Sequence, residues 1–229
     1  MAQRSAKAHA GAMNNYPVIV EGSLDEPLSR WRWLVKWLLA LPHVFLLVFL
    51  WIGLILATFG AFWVILFTGR YPRGIFDYNV RVMRWTWRVS FYATSAIGTD
   101  RYPPFHGRED PSYPARFDVS YPEQQRRGFP LIGWWLAGIP QYAIAGIIGG
   151  GMSGVHNLLG LLVVVAGLLL LFTGRYPKEL FAFVVGCNRY ALRVTAYAAF
   201  LTPEYPPFRL DQGETEPTPT PIAGVPLSA

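Results

Sequence analysis

"FTGRYP" occupies Phe67–Pro72, and the same six letters return at Phe172–Pro177. The correspondence spreads outward from the hexamers. "RGIFDYNVRVMRWTWRVSFYA" follows the first and "KELFAFVVGCNRYALRVTAYA" the second, so that Phe76 matches Phe181, Arg84 matches Arg189, Arg88 matches Arg193, Val89 matches Val194 and Tyr92 matches Tyr197. Both segments close on "YPPF", at Tyr102–Phe105 and Tyr205–Phe208. Upstream, "KWLLALPH" at Lys36–His43 matches "WWLAGIPQ" at Trp134–Gln141, with Pro42 opposite Pro140. Each segment opens on Tyr-Pro, at Tyr16-Pro17 and Tyr113-Pro114. The chain therefore reads as one membrane unit written twice, over 16–108 and 109–209. A polar tail, 1–15, precedes the two units. A Pro-rich tail, 210–229, follows them with Asp211, Glu214 and Glu216 ahead of Pro217, Pro219, Pro221 and Pro226. Both tails are expected to be disordered.

Charge decides the class. The chain has 229 residues, 52% of them hydrophobic, and only 15% are charged, against about 25% in a soluble domain. No Asp, Glu, Lys or Arg occurs from Trp37 to Gly69 or from Gly128 to Gly174. Charge-free apolar runs longer than about 18 residues are transmembrane candidates. A helix over the first run would extend about 50 Å, against a hydrocarbon core of about 30 Å. "GGGMSG" at Gly149–Gly154 divides the second run into Phe129–Ile148 and Val155–Phe172. By analogy the first run is expected to turn near Trp51–Gly53, with arms Trp33–Leu50 and Leu54–Phe67. A single long helix kinked at Pro42 is the rival reading. Two hairpins leave every Lys and Arg on one side, which the positive-inside rule makes cytoplasmic, together with both termini.

On this reading the hexamer is a joint. Gly69 takes the left-handed conformation that ends a helix, Arg70 meets the last carbonyls and the lipid phosphates, Tyr71 suits the interface and Pro72 blocks continuation. Arg175 is the matching residue of the second copy. Beyond the joint, Arg81, Arg84 and Arg88 fall on one face of a helix expected from Ile75 to Ile97, with Val82, Trp85, Val89 and Tyr92 on another. Such a basic, Trp-rich helix suits the membrane interface. The second copy keeps Arg189 and Arg193 in a more apolar helix from Leu180 to Leu201. Arg70, Arg81, Arg84, Arg88, Arg175, Arg189 and Arg193 are accordingly the candidate contacts for an anion or a lipid headgroup. Asp77 stands four residues before Arg81, a spacing for a local ion pair. "YPVIVEG" and "YPARFDVSYP" alternate and read as short cytoplasmic strands that pair with each other. Asp25, Glu26 and Pro27 read as the start of the helix that enters the membrane.

The Tyr-Pro start, "LLALPH", "FTGRYP", the Arg-rich helix and "RYPPF" together resemble a bacterial, largely actinobacterial, membrane-protein family catalogued only as a domain of unknown function. The resemblance covers about Tyr16–Arg209 as two copies. The second copy departs at Gln141 for His43, at Lys178-Glu179 for Arg73-Gly74 and at Glu204 for Arg101. The resemblance implies a membrane location and no established activity.

The residues point the same way. No nucleotide loop, H-E-x-x-H or G-x-S-x-G is present. His9, His43, His106 and His156 are scattered, and Cys187 is the one cysteine, so neither a disulfide nor a cysteine-based metal site forms within one chain. His43 inside the first apolar run calls for a helix partner. Neither run holds a carboxylate, which argues against a proton-coupled carrier. The net charge of +6 points to lipid phosphate rather than nucleic acid in this context. Gly138, Ala143, Gly146, Gly160 and Gly167 permit close helix approach, within the chain or to a protein partner or second copy. The expected protein is an all-α integral inner-membrane protein. Each of its two transmembrane hairpins is followed by an Arg-bearing interfacial helix. It is expected to be no enzyme, to hold no cofactor and to serve as an accessory or scaffold subunit of a membrane or envelope complex in contact with anionic lipid. The alternative is a small oligomeric transporter or channel for an anion or lipid, holding its cargo on Arg84, Arg88, Arg189 and Arg193.

Overall fold

The computed structural model describes residues 16–134, 136, 138–149 and 158–216. The tail 1–15, "GGGMSG" beyond Gly149, His156 and the Pro-rich end lie outside the described residues. The fold is mostly helical, with one small sheet. Strand β1 (Val18–Gly22) is followed by α1 (Trp33–Leu39), α2 (Leu41–Thr68) and α3 (Arg73–Ala93). Strand β2 (Ala115–Val119), a single π-helical turn (Phe129–Gly133), α4 (Ile139–Gly149), α5 (Leu158–Thr173) and α6 (Lys178–Ala198) complete it.

The first apolar run does not turn at Trp51–Gly53. It is the 28-residue helix α2, set off from α1 at Ala40, with Pro42 in its first turn where the missing amide is not needed. Gly53 serves packing instead. Tyr78 of α3 donates to the Leu50 carbonyl at 2.9 Å, and a Cβ at Gly53 would collide with the Tyr78 hydroxyl. Gly53→Leu should therefore destabilise the fold by about 1–3 kcal/mol through overpacking. A fluorescence-monitored melt in detergent checks this; an unchanged midpoint would mean that α3 does not lie on this part of α2.

The joint behaves alike in both copies. Gly69 and Gly174 each have φ of 71°, the left-handed conformation. Thr68 and Thr173 donate to the carbonyls of Val64 and Leu169 and accept from the amides of Arg70 and Arg175. The threonine, not the arginine, ties off the helix. Tyr71 and Tyr176 are buried rather than set at an interface, and Tyr71 donates to the Ala199 carbonyl at 3.0 Å. Helices α3 and α6 then start at the same offset from the joint, after Pro72 and Pro177. They end before Ile97 and Phe200, which take positive φ of 47° and 59° at matching distances before the two YPPF segments.

The expected strands do pair. β1 and β2 run antiparallel, with Val20 opposite Phe117 and Gly22 opposite Ala115. Packing crosses the boundary between the two sequence units: α3 of the first lies on β2 of the second, and α6 of the second lies on β1 of the first. Behind these helices, α2 covers α3, while α4 and α5 pack on each other and on α6. The result is three layers: the sheet, the two arginine helices, and a floor of apolar helices. Gly167 brings α5 against the Trp33 ring of α1.

The floor is bare on its outer side. Helix α2 buries only a narrow stripe, His43, Leu47, Leu54, Ala61 and Ile65, while Phe45, Phe49, Leu56, Phe59 and Phe67 are exposed. It is long and apolar enough to cross a membrane. The segment Asp25–Pro27, expected to start a membrane helix, is instead part of the sheet-side connection. Asp25 pairs with Arg101 at 2.8 Å and accepts from Thr99 at 2.8 Å.

Candidate functional site

Arginines on α3 and α6 are spaced so that one face of each helix carries them, and the structure turns that face towards the sheet. Arg84 donates through Nε to the Phe117 carbonyl at 2.8 Å and through Nη2 to Asp118 at 2.9 Å. Arg189, at the matching position, donates through Nε to the Val20 carbonyl at 2.8 Å. Val20 and Phe117 face each other across the sheet, so the two arginines grip it from opposite edges. Arg189 also donates to the carbonyls of Asp211, Gly213 and Thr215. Arg193 pairs with Asp211 and Glu216, both at 2.6 Å. These contacts hold residues 210–216 as a strap along the outer edge of β1, where Gly22 donates to the Glu214 carbonyl and Val20 to Glu216. The strap was expected to be part of a disordered tail. Its acidic residues are ordered by the buried cations they neutralise.

Arg84, Arg88, Arg189 and Arg193, named above as candidate headgroup contacts, are turned into the fold instead of outward. They are 9%, 1%, 0% and 1% exposed, and they lie on the side of α3 and α6 away from the apolar floor. A buried guanidinium must replace its lost hydration with fixed acceptors: strand and strap carbonyls supply them to Arg84 and Arg189, strap carboxylates to Arg193, and the His106 carbonyl alone, at 3.4 Å, to Arg88. Burial pulls Arg88 and Arg189 below the usual arginine range. Arg70, Arg81 and Arg175 do remain exposed, and none of them forms an ion pair among the described residues. Asp77 does not pair with Arg81; both side chains face outward.

Tyrosines brace the outer arginines in a matching way. Tyr113 donates to the Arg101 carbonyl and lies under Arg88, with the cation 5.9 Å from the ring centre. Tyr16 donates to the Glu204 carbonyl and lies under Arg193 at 5.3 Å. A second matched pair joins the floor to the arginine helices. His43 Nδ1 accepts from Trp85 Nε1 at 3.0 Å and stacks on Phe105, the ring centres 3.9 Å apart. Its counterpart Gln141 accepts from Tyr190, which matches Trp85, and donates to the Pro206 carbonyl at 2.6 Å. His43 has thus found the helix partner its position required.

One buried cation went unnoticed in the sequence. Lys36 is 1% exposed, donates to the Thr99 carbonyl at 2.6 Å and pairs with Asp100 at 2.8 Å. Burial acts to raise Asp100, but hydrogen bonds from Lys36 and from the Ser29 amide outweigh it and hold the carboxyl below its usual range.

The family described as "Domain of unknown function (DUF4389)" matches residues 30–106 and 147–209, more than half of the chain. The chain belongs to that family. No curated protein and no solved structure matches it. The DUF4389 segments cover α1, α2, α3 and the first YPPF, then α5, α6 and the second YPPF. Both strands and the 210–216 strap fall outside them. The DUF4389 match therefore includes all four buried arginines, but not the strand and strap groups that receive Arg84, Arg189 and Arg193.

Proposed function

We propose that this chain is a non-enzymatic, membrane-embedded accessory or scaffold subunit of a bacterial inner-membrane or envelope complex, built from a duplicated unit. The observation that carries the reading is the distribution of chemistry across the three layers. The outer face of the floor is apolar, with exposed Phe, Leu and Ile along α2 and α5. The buried guanidiniums of Arg84, Arg189 and Arg193 point the other way and hold the sheet and strap. Lipid tails are the natural solvent for the floor. Arg70, Arg81 and Arg175 remain free to meet anionic headgroups, each contributing about 1 kcal/mol near such a surface. The positive-inside rule puts the charged side in the cytoplasm. A transport reading would need polar groups facing a path, and three of the four guanidiniums it would use, Arg84, Arg189 and Arg193, are engaged within the fold.

Spin labels at single cysteines test the embedding. A label at Phe59 on α2 should be relaxed by oxygen and shielded from a water-soluble nickel reagent, and one at Arg108 should show the reverse. Strong nickel relaxation at Phe59 in native membranes would sink the membrane reading. The subunit role predicts stoichiometric co-purification with defined partners in mild detergent. Recovery of the chain alone, under conditions that preserve neighbouring membrane complexes, would count against it.

A further inference from the structure

The apolar floor is not closed. Between α2 and the end of α6 a cavity of about 490 Å³ opens, within the usual size range of a small-ligand site. Trp51, Ile55, Phe59 and Phe62 line it from α2, and Trp134 and Phe200 from the other half of the chain. Every polar side chain in its wall is committed elsewhere. Trp51 donates to Thr86 at 3.0 Å, Trp134 to the Ala198 carbonyl at 2.8 Å and Thr195 to the Ala191 carbonyl at 2.9 Å, while Thr58 accepts from Asn79 at 3.0 Å. The wall therefore offers dispersion contacts and no hydrogen bond, and a water there finds no partner. Ile55 and Phe59, 61% and 62% exposed, connect the groove with the bare outer face of α2. From Trp51 to Phe62 it runs about 16 Å along the helix, the depth of one leaflet of a hydrocarbon core about 30 Å thick.

The groove ends next to the first joint. The carbonyl of Phe200, a wall residue, accepts from Gln125 Nε2 at 2.7 Å, and the Gln125 amide donates to the Gly69 carbonyl at 2.9 Å. The next two residues, Arg126 and Arg127, are exposed, and the Arg127 side chain lies against Gly69. With Arg70 they put three guanidiniums beside the joint, none of them in an ion pair among the described residues. Glu123, the one carboxylate of the 121–128 segment, pairs with Arg73 at 3.3 Å. The other half of the duplication is finished differently. Counted from the two hexamers, Gly167 stands where α2 has Phe62, and the Trp33 ring lies on that glycine. The position matching Trp33 in the second unit holds the smaller Leu131.

We propose that this groove seats a resident anionic phospholipid, one acyl chain lying between α2 and α6 and its phosphate meeting Arg126, Arg127 and Arg70. An apolar wall one leaflet deep with a cationic end complements that amphiphile in both shape and charge. The groove is built from both sequence units, α2 from the first and Trp134 with α6 from the second, so the chain fills a seam between the copies. The proposal rests on the membrane reading above and goes beyond it in singling out one lipid at one joint. The second joint supplies an internal control. It has the matching arginine, Arg30, laid on Gly174, together with Arg175. There, however, Trp33 covers the Gly167 surface that a chain would need, and Glu26 lines the same cavity as Arg175 and Lys178.

The probe is phosphatidylglycerol with a photoreactive diazirine on one acyl chain, a minor component of phosphatidylcholine vesicles that hold the purified full-length chain. Bulk lipid labels the outer face of α2, at exposed residues such as Phe45 and Leu56. The seated lipid is expected to add labels at Trp134 and over 195–200, and these should saturate as the probe is titrated. A phosphatidylcholine probe should give about tenfold less of that labelling, and Arg126→Gln with Arg127→Gln should lower it by a similar factor, the loss expected when surface cations no longer meet an anionic lipid. Arg30→Gln with Arg175→Gln should leave it unchanged. Ile55→Trp, which fills the groove from its exposed side, should abolish it and spare the outer face of α2. Labels on α2 without labels at 134 and 195–200 would overturn the proposal and leave the membrane reading standing, whereas labels on neither would remove both. Equal labelling by the phosphatidylcholine probe would overturn it too. So would labelling of 195–200 that falls as the chain is concentrated in the vesicles, which would mean that a second copy fills the groove. The label map and the headgroup comparison use the unmodified chain and stand even if a variant does not fold.

Discussion

Arg189→Gln is expected to lower the stability of the chain by about 3–5 kcal/mol, the range found when one partner of a buried charged network is removed. Arg189 is fully buried and donates to the carbonyls of Val20, Asp211, Gly213 and Thr215. Glutamine is too short to span the strand and the strap together, so several buried carbonyls lose their donor at once. Glu216 would lose one of its two cations as well, since it also lies 3.4 Å from Arg189 Nε. The strap should detach, exposing the bond after Arg209 to trypsin. Time-resolved proteolysis with a parallel thermal melt reads both effects. Arg189→Lys should recover little, because an ammonium cannot reproduce the planar donor fork. Full protection of the strap in Arg189→Gln would show that Arg193 alone holds it.

Lys36→Met should be comparably severe, at about 3–5 kcal/mol, since it leaves Asp100 and the Thr99 carbonyl without their buried donor. The pair also gives the chain an acid-sensitive element. The folded-state carboxyl of Asp100 is depressed below its unfolded value. Its stabilising contribution is therefore complete above the unfolded carboxylate range, near pH 4, and is lost as the pH falls through the lower folded value. In Lys36→Met only the Ser29 amide still favours the charged carboxyl, so most of that contribution is gone at neutral pH and the acid limb of the stability curve should flatten. Adding Asp100→Leu should restore part of the loss, because replacing both members of a buried pair leaves no unpaired charge. A double mutant as unstable as Lys36→Met alone would assign the defect to packing around Ala40 rather than to the ion pair.

Local signals in the sequence were read well where one residue dictates one conformation. The left-handed glycine of each hexamer, the proline that follows it, the arginine spacing on α3 and the alternation of the two strands all depend on neighbours only. The first hairpin failed for a physical reason. A glycine in an apolar run suits a turn and a close helix approach equally, and only the position of Tyr78 decides between them. The setting of the arginines was hidden for a similar reason. Periodicity places Arg84 and Arg88 on one face, but whether that face meets lipid phosphate or strand carbonyls depends on β2, whose charged residues Arg116 and Asp118 look unremarkable in sequence. Asp211 and Glu216 sit in a Pro- and polar-rich stretch, where composition argues for disorder. Their order comes from two buried cations nearly twenty residues and more away. Lys36 was passed over because it marks the edge of an apolar run, a place where lysine ordinarily reaches to water.

The crossed packing of strands and helices also sets a timetable. Translation proceeds at about 5–20 residues per second. β1 leaves the ribosome well before the groups that finish its outer edge: Arg189 and Glu216 are made 169 and 196 residues after the Val20 they meet. For roughly ten seconds or more a short run of Val and Ile with open amides has no permanent neighbour. Its first companion, β2, arrives only after the whole of α2 and α3 has been made. Completion is therefore a late event that closes the strap onto a strand made long before it, and loss of the strap should show first as failed maturation of newly made protein rather than as damage to finished molecules.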